Sequence, residues 1–185
     1  YSPANLAQIE NKQVGLGYGK PVAVISDLMS SQLNIVLPMG GNGIGLGFSY
    51  GGIDVAKEMV VSAGYGLSVG ALAVGANVKM LNWSVTGQDN AYGAGTDEDI
   101  SKMSVSLDAS ASLPIGSAML VGAYVRDAIM PNISESGDDG GALPIEIGGG
   151  LMYTQNGLVI EGDAGFRDGV TILRAGAETP IGGQN

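Results

Sequence analysis

Residues 103–114, MSVSLDASASLP, alternate without a break: Met103, Val105, Leu107, Ala109, Ala111 and Leu113 share one parity, and Ser104, Ser106, Asp108, Ser110 and Ser112 the other. A period of two is that of a β-strand with one oily and one polar face. The same pattern recurs in about ten stretches, at roughly 13–20, 32–38, 43–51, 57–69, 72–85, 102–114, 117–128, 143–154, 157–168 and 170–180. Several exceed the usual strand of about 5–6 residues and approach the 9–11 that cross a bilayer at a tilt. Short turns at 41–43, 69–71, 114–116 and 155–157 alternate with the acidic, Gly-rich loops 87–99 and 130–142. This predicts an all-β, up-and-down antiparallel barrel with its long loops at one end. Ser2 as N-cap and Pro3 at the first helical position predict a short helix before the first strand. The expected organisation is a plug or cap over residues 1–12 and a single barrel domain over 13–185.

Which face meets water decides between a soluble barrel and a membrane wall. The outward face of a soluble barrel is rich in long charged side chains. Here the polar parity is mostly Ser, Gly and Asn, with Lys79, Asp108, Arg126, Glu146, Glu161, Asp163, Arg167, Arg174 and Glu178 scattered through it. Small residues with opposite charges suit a crowded polar interior, where mutual neutralisation offsets desolvation. A mean hydropathy of +0.24 points the same way. The polar face is therefore expected to line a lumen holding those nine residues as a charge network. Met59, Val61, Tyr65, Leu67, Val105, Leu107, Val121, Ile147 and Phe166 are expected to face lipid or a partner. Aromatics are only 5% of the chain, which leaves Tyr18, Phe48, Tyr65, Trp83, Tyr153 and Phe166 to form thin interfacial girdles.

Composition closes off much other chemistry. With 8 Lys+Arg against 18 Asp+Glu, and a net charge of -10, the chain lacks the basic footprint that nucleic acid requires. It contains no Cys and no His, which removes disulfides, thiolate metal sites and the commonest general base. No apolar run approaches the roughly 20 residues of a membrane helix. No export signal opens the sequence at Tyr1, and the ending PIGGQN, without a terminal aromatic, reads as a truncated C-terminus.

The motifs that suggest catalysis or binding lack their context. GFSYG (47–51) has the spacing of a nucleophile elbow, but Ser49 lies inside an alternating strand with no His to activate it. YGKP (18–21) lacks the glycine spacing and the hydroxyl residue of a phosphate loop. The acidic runs Thr96–Asp97–Glu98–Asp99 and Asp138–Asp139 miss the calcium-loop register and read as solvated loops. Glu161 and Asp163 share a strand face like an acid–base pair, but Arg167 and Arg174 nearby favour a salt-bridge network. No catalytic residue, metal or cofactor is expected.

The segment SPANLA (2–7) resembles the N-P-A-G-L-A segment near the mature N-terminus of the long-chain fatty acid transporter (FadL) superfamily of outer-membrane proteins, and especially of its PorV/PorQ-like branch from type IX secretion. Ser2 stands for the usual Asn and Asn5 for the usual Gly. LAVGANVKML (72–81), LPIEIGGGLMY (143–153) and AGAET (175–179) are similar to later strands of that family. The resemblance implies a barrel of about fourteen strands, of which about ten are recognisable here. It also implies an N-terminal segment in the lumen, with Pro3, Ala4 and Leu6 as lining or plug. The implied partners are a hydrophobic small molecule or an exported protein held at the surface.

The leading expectation is a non-enzymatic barrel of the bacterial outer membrane, in contact with lipid, with a transport, surface-anchoring or structural role. Two alternatives belong to other classes. One is an extracellular or cell-surface protein that self-assembles into a filament or tube. The other is a soluble barrel carrying apolar ligands, with Leu107, Val121 and Ile147 pointing into its cavity.

Overall fold

The computed structural model of the chain describes residues 2–20, 28–53, 55–86, 100–133 and 141–180. The acidic runs 96–99 and 138–139 therefore lie outside the described residues. A six-residue 3-10 helix, Pro3–Gln8, opens the chain, with Pro3 at its first position as the fixed φ of proline favours. Ten strands follow: β1 (Gln13–Gly19), β2 (Met29–Pro38), β3 (Asn42–Ile53), β4 (Ala56–Val69), β5 (Leu72–Val85), β6 (Ile100–Ile115), β7 (Met119–Arg126), β8 (Glu146–Gln155), β9 (Leu158–Arg167) and β10 (Val170–Glu178). They form one antiparallel sheet in sequence order, the up-and-down barrel topology that the alternation predicts.

The register sorts side chains by polarity. The row Leu37, Ile44, Tyr65, Ala76, Ala109, Val125, Ile147, Phe166 and Thr171 crosses nine strands and is apolar but for its last member. It passes near the lower end of β2 and the upper end of β10, so the strands are staggered as the shear of a tilted barrel wall requires. The oily face is also the exposed one. Leu16 is 82% exposed and Leu173 77%, and Val61, Tyr65, Leu67, Val105, Val121, Ile147 and Phe166 are all exposed. Met59 and Leu107 share that face and are half-buried by their neighbours. Trp83 departs from the girdle expectation: opposite Glu58 and Lys102, it lies on the polar parity.

Few apolar side chains are buried, and Ala4, Leu6 and Ala7 of the helix are among them, with Val36, Ala73 and Leu81 of the wall. The helix lies against the polar face of β2–β6. Its seat is made by absent side chains. A Cβ on Gly43 would strike the Leu6 carbonyl, one on Gly75 the Pro3 carbonyl, and one on Gly66 would come within 2.7 Å of the Ala7 nitrogen. Ser110 Oγ accepts from the Ala4 amide at 2.8 Å and lies 2.8 Å from Ser2 Oγ, while Gln8 donates to Ser112 Oγ at 3.3 Å. The high Gly content in apolar stretches thus has a structural cause: backbone must approach backbone here.

Gly75→Val should unseat the helix and destabilise the fold by about 1–3 kcal/mol through overpacking. Protease cleavage within residues 2–12 should accelerate at least several-fold, whereas Ala76→Val, on the opposite face, should leave cleavage unchanged. Equal cleavage in the two variants would contradict the seat described.

Candidate functional site

The charged residues of the polar face gather into two clusters. In the first, Lys79 of β5 lies 2.7 Å from Asp108 and 2.8 Å from Asp127. Ser106 Oγ donates to Asp127 at 2.7 Å, Asn77 to Asp108 at 3.3 Å, and the Asp127 amide to Asp108 at 3.0 Å. Asp127 is a residue that alternation misplaces. One position past Arg126, it should point to the oily side, but its left-handed backbone (φ 53) turns the carboxylate inward. Asp tolerates that conformation better than most residues. The same turn ends β7 after eight residues, although β6 runs for sixteen.

The second cluster spans β7–β10 around Glu146, which is buried. Glu146 Oε1 accepts from Tyr124 Oη at 2.8 Å, from Arg174 at 3.1 Å and from Arg126 at 3.3 Å. Arg174 also donates to Asp163 at 2.7 Å and to Tyr124 Oη at 3.1 Å. The Arg126 guanidinium sits 4.6 Å from the Tyr124 ring centroid, a cation–π distance. Tyr124 fits there because its hydroxyl end lies over Gly148 and Gly165, where any Cβ would come within 2.7 Å of it. Sequence reading missed Tyr124, because the glycines that accommodate it belong to β8 and β9 and only the register reveals them.

The structure thus joins Lys79 with Asp108, and Arg126, Glu146, Asp163 and Arg174 with one another. Glu161, Arg167 and Glu178 stand on the same face. Arg167 is placed opposite Glu146 in the register. No ion pair engages Glu161 or Glu178 among the described residues, and both are exposed. Pro3, Ala4 and Leu6 lie on the glycine seat, away from the second cluster. Between helix and cluster runs an open cavity of about 460 Å³, lined in part by Ser2, Asn5, Tyr124, Arg126, Glu161 and Arg174. No group of three or more acidic side chains among the described residues is arranged to hold a metal ion.

A sheet of staggered antiparallel strands, oily outside and charged inside, defines a porin-type barrel wall. A solved structure described as a porin refined at 1.8 Å is similar to this chain, with a TM-score of 0.53 and 17% identity. The match covers 91% of this chain and 57% of the porin, so the chain spans little over half of that protein's length. No family model and no curated protein matches the sequence.

The clusters predict an order of mutational cost. Lys79→Met leaves two carboxylates facing each other and should cost about 3–5 kcal/mol. Glu146→Gln keeps the shape but removes the carboxylate that Arg126 and Arg174 share, Arg174 retaining Asp163, and should cost about 1–3 kcal/mol. Arg126→Ala, which removes one long ion pair and an exposed cation–π contact, should cost about 1 kcal/mol. Unfolding midpoints of the detergent-solubilised variants check this ranking.

Proposed function

We propose that this chain forms the wall of an outer-membrane β-barrel in a diderm bacterium, with lipid against its oily face and water in its lumen. One observation carries the reading: polarity is inverted relative to a water-soluble protein, with large apolar side chains outermost and ion pairs inside. Along β4 the apolar parity runs unbroken over residues 59–69. At ~3.3 Å per residue and a tilt near 40° this gives a band of roughly 25 Å, the height expected for such barrels. Backbone groups of β2–β9 within that band are satisfied by the strand ladder, as hydrocarbon demands.

Transport is the role best supported. The lumen face carries more carboxylates than cations, and the unpaired Glu161 and Glu178 supply the excess, which favours small cations over anions. The 3-10 helix narrows the lumen on the β2–β6 side, which gives Pro3, Ala4 and Leu6 the part of a plug. Placement in the PorV/PorQ-like branch of the fatty acid transporters is the finer reading. It rests on residues 2–7, 72–81, 143–153 and 175–179, and would make the passenger a hydrophobic small molecule or the partner an exported protein. Surface anchoring and structural roles use the same wall with a closed lumen. Against the soluble-carrier alternative, Leu107, Val121 and Ile147, which it needs inside a cavity, stand on the parity opposite the one that seats the helix.

The native protein should require detergent for extraction and migrate faster unheated than boiled. Material that pellets as ordered fibres without detergent, or elutes as a small monomer, would overturn the membrane reading. In planar bilayers, deletion of residues 2–8 should raise conductance several-fold, and Glu161→Gln should reduce the preference for cations about twofold. Unchanged conductance and selectivity would leave the wall without a transport role.

A further inference from the structure

Trp83, the single tryptophan of the chain, stands on the polar parity and is half-buried. Register sets it in one row with Ser30 of β2, Gly51 of β3, Glu58 of β4 and Lys102 of β6. An open cavity of about 310 Å³ lies on its β4 side, lined by Trp83, Glu58, Gly51 and Ser30, with Ala56 and Lys57 beside the β3–β4 turn. This end of the sheet carries the long connections β1–β2, β5–β6 and β7–β8, the outer mouth in barrels of this kind. Gly51 keeps the cavity open without serving the fold. A Cβ there would meet only the Met29 carbonyl, at 3.5 Å, and the backbone is not left-handed, so neither packing nor conformation asks for glycine. Gly43, Gly66 and Gly75 differ, because helix backbone lies in the way of any side chain. A strand glycine without such a cause marks a place that something else approaches closely. The nearby charges are also unspent. Among the described residues Lys57, Glu58 and Lys102 make no ion pair and no side-chain hydrogen bond, unlike the charges of the two clusters.

We propose that this cavity binds a neutral saccharide, one sugar ring packing its C–H face on the Trp83 indole while its hydroxyls reach the charged side chains. This rests on the transport reading above, which places the cavity in the lumen. The chemistry of the lining selects the ligand. A flat, half-buried indole takes up an apolar face. A carboxylate accepts from hydroxyls and an ammonium donates to them, in charge-assisted hydrogen bonds. Lys57 in the lining and Lys102 beyond the indole offset Glu58, so a cation drawn to the indole and an anion drawn to the lysines each meet a like charge. A fatty chain would leave those charges desolvated and without partners. The next row inward carries Gln32, Ser49 and Ser104, uncharged groups that suit the same ligand as it moves on.

Because Trp83 is the single indole, its fluorescence reads this site alone. The whole chain, in an amine-oxide detergent that has no sugar head group, is titrated with maltotriose, with cellotriose and with tetramethylammonium chloride. The expected result is a saturable fluorescence change with at least one of the two saccharides and none with the cation. Affinity should be about fivefold weaker in Gly51→Leu, which fills the floor, and in Glu58→Ala, which removes the acceptor. Both variants keep Trp83, and heat-modifiable migration on a gel shows that they are folded. Saturation by tetramethylammonium alone, no response to any of the three, or saccharide binding undiminished in Gly51→Leu would overturn the proposal. Each of these leaves the detergent requirement intact. Saccharide binding that leaves the ion current across planar bilayers unchanged would uphold the site and remove the transport role, so the two readings fail separately.

Discussion

Everything in this structure depends on the hydrogen-bonding demand of the strand backbone. Each of β2–β9 gives its N–H and C=O groups to two neighbours, and in a meander the neighbours are the strands before and after it in sequence. Once that ladder is fixed, side chains have only two directions available. The chain uses them to put most of its large apolar side chains on one face and most of its charges on the other, and among the described residues no second layer covers the oily side. In water that arrangement would leave most of the hydrophobic surface unburied. It becomes stable when the solvent itself supplies the apolar layer.

The inner face faces the opposite problem, since charges withdrawn from bulk water must find one another. Lys79 holds two carboxylates, and Glu146 collects two guanidiniums and a phenol. Their centres are mirror images, one cation between two anions and one anion between two cations, with Asp163 joined to the second through Arg174. Each cluster bridges strands that are not hydrogen-bonded to each other: β5 reaches past β6 to the end of β7, and β10 reaches past β9 to β8. The clusters therefore act as tie-bars that fix curvature, a property that strand pairing leaves soft. Glycine makes the reach feasible, because Tyr124 can cross the β8–β9 surface only where Gly148 and Gly165 leave the backbone bare.

The strands were legible in the sequence because period-two polarity is a local signal. Where it was unbroken, as in β5 at 72–85 or β10 near 170, observed ends agree with the pattern to within a few residues. The membership of the clusters was legible only by face. Alternation puts Lys79 and Asp108 on one side, but which carboxylate meets which cation depends on register, and register depends on turn geometry elsewhere. Asp127 was invisible for a further reason: a single left-handed residue inverts the parity that every strand argument relies on. The seat of the 3-10 helix was hidden in the same way, since glycines scattered over β3, β4 and β5 become one surface only after pairing.

The 3-10 helix and the Glu146 cluster divide the inner face between them. The helix is seated on the glycine-rich half, β2–β6, where no long side chain obstructs it, and the Glu146 cluster occupies the half formed by β7–β10. An open cavity is left between the two, bordered by neutral Ser2 and Asn5 on one side and by Tyr124, Arg126 and Glu161 on the other. Helix packing and ion pairing thus shape opposite banks of the same cavity. A change in the seat alters its width, whereas a change in the cluster alters its charge. The two can be changed separately because Gly43, Gly66 and Gly75 seat the helix on β3–β5, whereas Arg126, Glu146, Asp163 and Arg174 lie on β7–β10.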